Sequence, residues 1–191
     1  EDMVEKRTKT IKENVEKEKK INMALQKEIA ERRKIEKQLE YNALHDPLTH
    51  LANRTLLIDH LAFIINQYER KDETGIFGLL FIDLDRFKMI NDSLGHEFGD
   101  KLLIEIGNRL THCLRKQDTI ARIGGDEFIV LIPEVVDIFN IRHCADRILE
   151  IVKKPFYYKN KQVIVTASIG IALYSDAYER AEEMIRDADI A

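Results

Sequence analysis

Two runs of strand-forming residues, Thr119-Ile120-Ala121 and Ile129-Val130-Leu131-Ile132, are separated by Arg122-Ile123-Gly124-Gly125-Asp126-Glu127-Phe128. Adjacent glycines between β-formers predict a tight hairpin, with strands over about 118–123 and 127–132. A chain built around such a hairpin needs an antiparallel sheet. Two carboxylates directly after the glycines stand where another molecule can approach the backbone closely. Hard oxygen donors in that position suit a phosphate-bound divalent cation.

The pattern on either side extends the sheet into an α/β domain. Helices are expected at about 55–70, with Leu56, Leu57, Leu61, Ile64 and Ile65 on one side, at Phe87–Leu94, at about 100–115, at about 137–153 and from near Tyr178 to Ala191. Gly75–Asp83 reads as a buried strand, and Val163–Tyr174 as another. This order predicts a palm-like sandwich of the nucleotide-cyclase type: a mostly antiparallel sheet with flanking helices, preceded by a long N-terminal helix.

Residues 1–44 differ in kind. They hold no Gly or Pro and are dense in Glu and Lys, which raises the charged fraction of the 191-residue chain to 34%. Apolar residues recur at Val4, Ile11, Val15, Ile21, Leu25, Ile29, Ile35 and Leu39, a stripe too narrow for a globular core and suited to a coiled-coil seam. Two heptad frames compete, one recruiting Val15, Ile29 and Ala43, the other Ile21 and Ile35, while Glu18 and Arg32 interrupt the row they share. Either a weak coiled coil or a helix with two near-degenerate registers fits this pattern. Asp46-Pro47 ends the helix, and 45–54 is expected to be a linking turn. The domain division expected is therefore 1–44 and 45–191.

The net charge of −4 gives no global basic field for nucleic acid, and no apolar run in this segment is long enough to span a membrane. A cytoplasmic location is expected. Cys113 and Cys144 fall in helical patterns without ligand spacing and read as core residues.

An apolar strand runs straight into Asp83-Leu84-Asp85, and alternation puts both Asp side chains on one face. Taken alone, Asp83 reads as a helix cap; beside Asp126 and Glu127 it reads as part of an oxygen-rich site for Mg²⁺. Lys88, Asn91-Asp92, Gly95-His96 and Gly99-Asp100 close one helix and open the next. An amide and a carboxylate there have the donors and acceptor that a guanine edge requires.

These residues together resemble the GGDEF family of diguanylate cyclases. The resemblance rests on His45-Asp46-Pro47-Leu48-Thr49, Asn53-Arg54, Asp83-Leu84-Asp85-Arg86-Phe87-Lys88, Asn91-Asp92, Gly95-His96, Gly99-Asp100, the 122–128 run, Ser168-Ile169-Gly170 and Asp187-Ala188-Asp189. It implies condensation of two GTP into cyclic di-GMP, with loss of two pyrophosphates, at the interface of a homodimer held by the coiled coil and driven by an upstream sensor domain. By position, Asp83, the Leu84 carbonyl and Asp126 would hold Mg²⁺ (or Mn²⁺). Asp126 would also accept a proton from the attacking hydroxyl, with Glu127 assisting. Asn91 and Asp100 would read guanine with His96 nearby, Lys88 and the backbone from Asp85 to Phe87 would face the phosphates, and Gly124 and Gly125 would let the hairpin lie over them.

Arg115-Lys116-Gln117-Asp118 resembles the family's product-inhibition site for cyclic di-GMP, with Arg147 as a second arginine placed by a one-residue gap. Two departures stand out: His50 and Ala52 occupy positions where the family usually has Gly and Pro. The family's pattern also continues past Ala191 with a Lys and an Arg on phosphate, so a C-terminally truncated domain with weak GTP binding or slow turnover is expected. The alternatives of another class are a non-catalytic GTP or cyclic di-GMP sensor and a scaffold in which the coiled coil alone matters.

Overall fold

A computed structural model describes residues 2–70, 76–135 and 137–191, so Gly75, the expected first residue of a strand, lies outside the described residues. The chain divides into two compact units, Glu1–Ala43 and Leu44–Ala191.

The first unit is a single helix, α1 (Asp2–Leu44). Absence of Gly and Pro lets it run unbroken, and exposed i,i+4 pairs such as Arg32–Glu36 (3.3 Å) and Gln38–Asn42 (2.9 Å) decorate it. Ile21, Leu25, Ile29, Ile35 and Leu39 are all exposed, so among the described residues nothing selects either heptad frame. Val4, Ile11 and Val15, the seam's first positions, lie outside the described side chains.

The second unit carries the sheet. It contains α2 (Arg54–Arg70), β1 (Ile76–Leu84), α3 (Phe87–Leu94), α4 (His96–Cys113), β2 (Thr119–Gly124), β3 (Glu127–Val135), α5 (Ile138–Val152), β4 (Phe156–Tyr158), β5 (Lys161–Val163), β6 (Ala167–Leu173) and α6 (Ala181–Ile190). The four main strands lie in the order β2-β3-β1-β6, all neighbours antiparallel. β1 is central and buried on both faces, which is why its sequence reads as a continuous apolar run rather than an alternation. Leu80, Ile82 and Leu84 pack with Phe87 and Leu102, Ile106 and Leu110 of α4, and with Ile141 and Ile148 of α5. Phe77, Leu79 and Phe81 pack with Leu57, Leu61 and Ile65 of α2, and with Met184 and Ile185 of α6.

Three boundaries differ from expectation. α4 begins at His96 rather than near 100, because Gly95 (φ 89°, ψ 157°) both ends α3 and caps α4. The strand expected over 163–174 is β6 alone. Val163 belongs instead to a small hairpin, β4–β5, turned by Lys159 (φ 47°) and Asn160 (φ 61°). Positive φ at both turn positions matches the twist of a two-residue hairpin, and without a glycine there the sequence hides it. The hairpin docks edge-on to α4 through Phe98–Phe156 (5.4 Å between ring centres) and Phe98–Tyr158 (5.8 Å). α6 begins at Ala181, a few residues later than expected.

Packing of α6 on the sheet depends on Gly170. A Cβ there would overlap the carbonyl oxygen of Ala188, a backbone atom that cannot rotate away. Gly170→Ala is therefore expected to destabilise the domain by about 2–3 kcal/mol, the range for overpacking at a rigid site. Urea denaturation followed by circular dichroism checks this; unchanged stability would mean that α6 can lift off β6 at no cost.

Candidate functional site

The sheet register assembles the site at the end of β1. Asp83 is paired with Glu127 of β3 on one side and with Ser168 of β6 on the other. Directly opposed residues of antiparallel strands share a face, so Glu127, Asp83 and Ser168 form a row on the face covered by α2 and α6. Leu84 points its side chain into the core, leaving only its backbone for a ligand.

The hairpin turn is one residue tighter than the expected strands, which leave 124–126 between them. Gly124 ends β2, and Gly124 and Glu127 are paired, so Gly125 (φ 50°) and Asp126 form the two-residue turn. The two carboxylates are thus inequivalent: Asp126 stands at the turn and Glu127 within the ladder opposite Asp83. Open space lies beside both glycines where a Cβ would project.

Negative charge accumulates here. Burial, then the charges of Asp126, Asp85 and Asp189, push the Asp83 carboxyl above its ordinary range. Burial, then Asp189, Asp83 and Asp126, do the same to Glu127, with Arg54 partly offsetting them. Among the described residues no three side chains converge tightly enough to hold an ion unaided. Mutually repelling, hard oxygen donors at a strand end nevertheless fit Mg²⁺ or Mn²⁺, which keep waters and take substrate phosphates as further ligands.

Asp85 lies on the expected face, but its oxygens are already engaged. Its N–H donates to the Thr166 carbonyl (2.9 Å), and the hydroxyls of Thr166 (2.5 Å) and Ser168 (2.9 Å) donate to its carboxylate.

Arg122 braces the turn. Its Nε (3.1 Å) and Nη2 (2.7 Å) donate to the Gly125 carbonyl, and its Nη1 donates to both oxygens of Asp46 (3.0 Å each). The expected linking turn is therefore an ordered part of the domain. Asp46 also accepts from the backbone N–H (2.8 Å) and hydroxyl (2.7 Å) of Thr49, and Arg122 N–H donates to the Ala52 carbonyl (2.9 Å). Burial acts to raise the Asp46 pKa, but the Thr49 donors and Arg122 outweigh it and hold the carboxyl below its ordinary value. His50, where the family usually has glycine, takes φ 60°, the left-handed conformation glycine adopts freely.

On the opposite face of the sheet, α3 and α4 bring Asn91 against Gly99, the residue before Asp100. A Cβ on Gly99 would overlap Asn91 Oδ1, so the glycine seats the amide against the start of α4, next to Asp100. Asn91 Oδ1 is buried and has no hydrogen-bond partner. Lys88 is exposed one turn before Asn91, and His96 is exposed at the first position of α4.

Arg115, Asp118 and Arg147 line one cleft of about 80 Å³ with Glu134 and His143. Arg115 N–H donates to Asp118 Oδ2 (2.8 Å), while Asp118 Oδ1 is buried without a partner. Arg147 Nη2 donates to the carbonyl of Cys113 (2.7 Å). Cys144 is buried, and burial pushes its thiol up, as expected of a core residue.

Arg54, Gly99 and Asp189 belong to the motifs that carry the family resemblance but have no role assigned by it. Their spacing carries no chemical signal; only the packing of α2, α4 and α6 brings them to the site.

The fold is an antiparallel α/β domain with carboxylates at a hairpin and a buried amide between two helices. The chain belongs to the GGDEF family: the family described as "Diguanylate cyclase, GGDEF domain" matches residues 43–191. It is 44% identical over 149 residues to the bifunctional diguanylate cyclase/cyclic di-GMP phosphodiesterase MucR of Pseudomonas aeruginosa, covering 78% of this chain and 21% of that protein. It is 41% identical over 165 residues to the probable diguanylate cyclase DgcE of Escherichia coli, covering 86% of this chain and 15% of that protein. The chain thus spans only a minor part of these relatives. Among solved structures, the GGDEF domain of TpbB (YfiN) from P. aeruginosa superposes with a TM-score of 0.72 at 36% identity, covering 76% of this chain and 84% of that one. The coiled coil and GGDEF domain of DgcB from Caulobacter crescentus, in complex with c-di-GMP, shares the fold with a TM-score of 0.77 at 24% identity, over 86% of each chain. No described helix is long and apolar enough to cross a membrane.

The raised carboxyls carry a consequence for stability. Each has a folded-state pKa above its unfolded value, so the stability linked to its protonation is fully present below the unfolded value of about 4 and is lost as pH rises through the raised folded value. Asp83→Asn removes one repelling charge and is expected to raise the melting temperature at pH 7.5 by a small amount, roughly 1–3 °C after allowing for solvent screening, with the gain vanishing near pH 3.5. Thermal unfolding at both pH values checks it; a lower melting temperature at pH 7.5 would be the contrary result.

Proposed function

We propose that this chain is the cyclase segment of a signalling protein and condenses two GTP into cyclic di-GMP, releasing two pyrophosphates. The observation that carries the reading is the meeting of Asp83, Asp126 and Glu127 at one sheet end, with an unpartnered Asn91 acceptor held by the helices of the opposite face. The family membership and the relatives named as diguanylate cyclases support it.

Each domain supplies half an active site. Asn91 Oδ1 accepts from the guanine edge and Asp100 takes the remaining donors, with His96 beside them. Lys88 faces phosphate, and Gly124 and Gly125 leave the backbone open to it. Asp83, the Leu84 carbonyl and Asp126 would hold Mg²⁺ or Mn²⁺, which when bound neutralises charge developing on the phosphates. Asp126 takes the proton of the 3′-hydroxyl that attacks the α-phosphate of the other nucleotide, and Glu127 supports Asp83 and Asp126 from the ladder. Asp100 favours GTP, and hence cyclic di-GMP over mixed dinucleotides.

The two halves meet in a homodimer through α1, whose exposed apolar stripe has the spacing of a coiled-coil seam. Joining two domains this way raises their effective concentration, and a change of register, set by an upstream sensor, alters how they face.

Incubation with GTP and Mg²⁺ followed by chromatography tests the reading. The unaltered chain is expected to form cyclic di-GMP, and Asp126→Ala to form at least 100-fold less, as expected for loss of a general base and metal ligand together. Equal product from both, or none from the unaltered chain at saturating GTP, would overturn the proposal.

The cleft at Arg115, Asp118 and Arg147 supports product inhibition: two cations beside an unpartnered carboxylate oxygen suit a ligand bearing both phosphate and guanine. Arg115→Ala is expected to raise the cyclic di-GMP concentration giving half-inhibition by about tenfold, the equivalent of one charge-assisted contact. Initial-rate assays with added product measure this, and an unchanged half-inhibition value removes the claim.

A further inference from the structure

The side chain of Asp85 has no part in the chemistry just proposed, yet three hydrogen bonds converge on this residue. The last ladder pair between β1 and β6 is Leu84 with Ala167. Asp85 extends that pairing by one residue through its N–H to the Thr166 carbonyl (2.9 Å). Its two carboxylate oxygens then take one hydroxyl each, Thr166 Oγ1 on Oδ2 (2.5 Å) and Ser168 Oγ on Oδ1 (2.9 Å). Thr166 and Ser168 are two residues apart and so present both donors on one face of the same strand end.

What this clamp holds is on either side of it in the chain. Leu84, with its proposed ligand carbonyl, comes immediately before. Arg86 comes immediately after, in the left-handed conformation (φ 58°, ψ 25°), and α3 starts one residue later with no side-chain cap. A non-glycine residue persists in that conformation only where its surroundings enforce it. The chain thus passes from a ladder strand to a helix bearing Lys88 and Asn91 in two residues, and Asp85 is its fixed point.

We propose that Asp85, clamped by the hydroxyls of Thr166 and Ser168, is a positioning residue that aims the Leu84 carbonyl and the first turn of α3 at the metal and phosphates without touching either. The inference rests on the function proposed above. Charge-assisted bonds from two hydroxyls to one carboxylate define a single orientation of the residue, and outer-sphere groups of this kind commonly change metal affinity 10–100-fold when removed.

Manganese binding to the full chain tests it, with free Mn²⁺ followed by electron paramagnetic resonance in the presence of a GTP analogue carrying a methylene between the α- and β-phosphates. Asp85→Ala, and separately the double substitution Thr166→Val with Ser168→Ala, are each expected to weaken Mn²⁺ binding roughly 10-fold. Asp85→Asn keeps an acceptor for one hydroxyl, and its amide can donate to the other hydroxyl, so it is expected to stay within about threefold of the unaltered chain. Thermal unfolding of every variant identifies those that fold. If Asp85→Ala fails to fold, the double substitution, which leaves Asp85 in place, carries the test. Unchanged Mn²⁺ affinity in the double variant overturns the proposal. So does an Asp85→Asn loss as large as that of Asp85→Ala, which would make the carboxylate a ligand or a field source rather than an anchor. Asp83→Asn is the control for the underlying reading: if it binds Mn²⁺ like the unaltered chain, the metal site itself is misplaced, whatever the Asp85 variants do.

Discussion

One guanidinium, that of Arg122, ties the β2–β3 turn to the loop that follows α1, which the backbone touches only through a single bridge at Ala52. A planar fork of five donors lets it serve the Gly125 carbonyl at the turn and both oxygens of Asp46 at once, in a pocket where both side chains are largely sheltered from water. A lysine has charge but not the geometry. The sheet holds the strands that flank the turn, and the fork adds a side-chain hold on the turn backbone itself, at Gly125. Asp46 in turn organises the loop from Asp46 to Asn53 through Thr49 and through the Leu51 carbonyl that its N–H meets at 2.8 Å. The loop and the hairpin are therefore one mechanical piece. Any strain on the backbone just past α1 falls on a residue bonded directly to the turn.

The sheet solves a second problem, which is how to hold several anions close together. β1 is buried along both faces up to Ile82, and its rigidity comes from the apolar residues of α2 and α6 on one side and α3, α4 and α5 on the other. Only at its end does a polar side chain emerge. The free energy of that packing is what tolerates Asp83 beside Glu127, with Asp126, Asp85 and Asp189 near. The folded sheet thus holds like charges closer together than an unfolded chain would keep them.

The sequence made legible those features whose physical cause is local. The apolar run of β1, the apolar side of α2 and the glycines of the hairpin each announce themselves within a few residues, and so the sheet and most helices were correctly read. The order of motifs went further, since it identified the family to which the chain belongs. What escaped was whatever depends on long-range placement. The β4–β5 hairpin has three-residue strands and a Lys-Asn turn, too short for alternation to register. The tighter turn follows from the pairing of Gly124 with Glu127, which a double glycine does not specify. Arg54 and Asp189 stand at opposite ends of the domain's sequence, and only the stacking of α2 and α6 on one sheet face brings their charges to Glu127. The heptad frame of α1 stays open for a related reason: the described apolar positions of both candidate rows are exposed, so no packing among them selects one.

The amide of Asn91 shows how much can rest on one absent atom. Its oxygen is buried in the space that a Cβ of residue 99 would fill, and the ring of Phe87 lies close beside it. Any side chain at 99 would have to displace that amide or push α3 away from α4. The fit between the two helices is therefore set by what glycine lacks, and a substitution that looks small at the start of α4 would be felt first by the amide on α3.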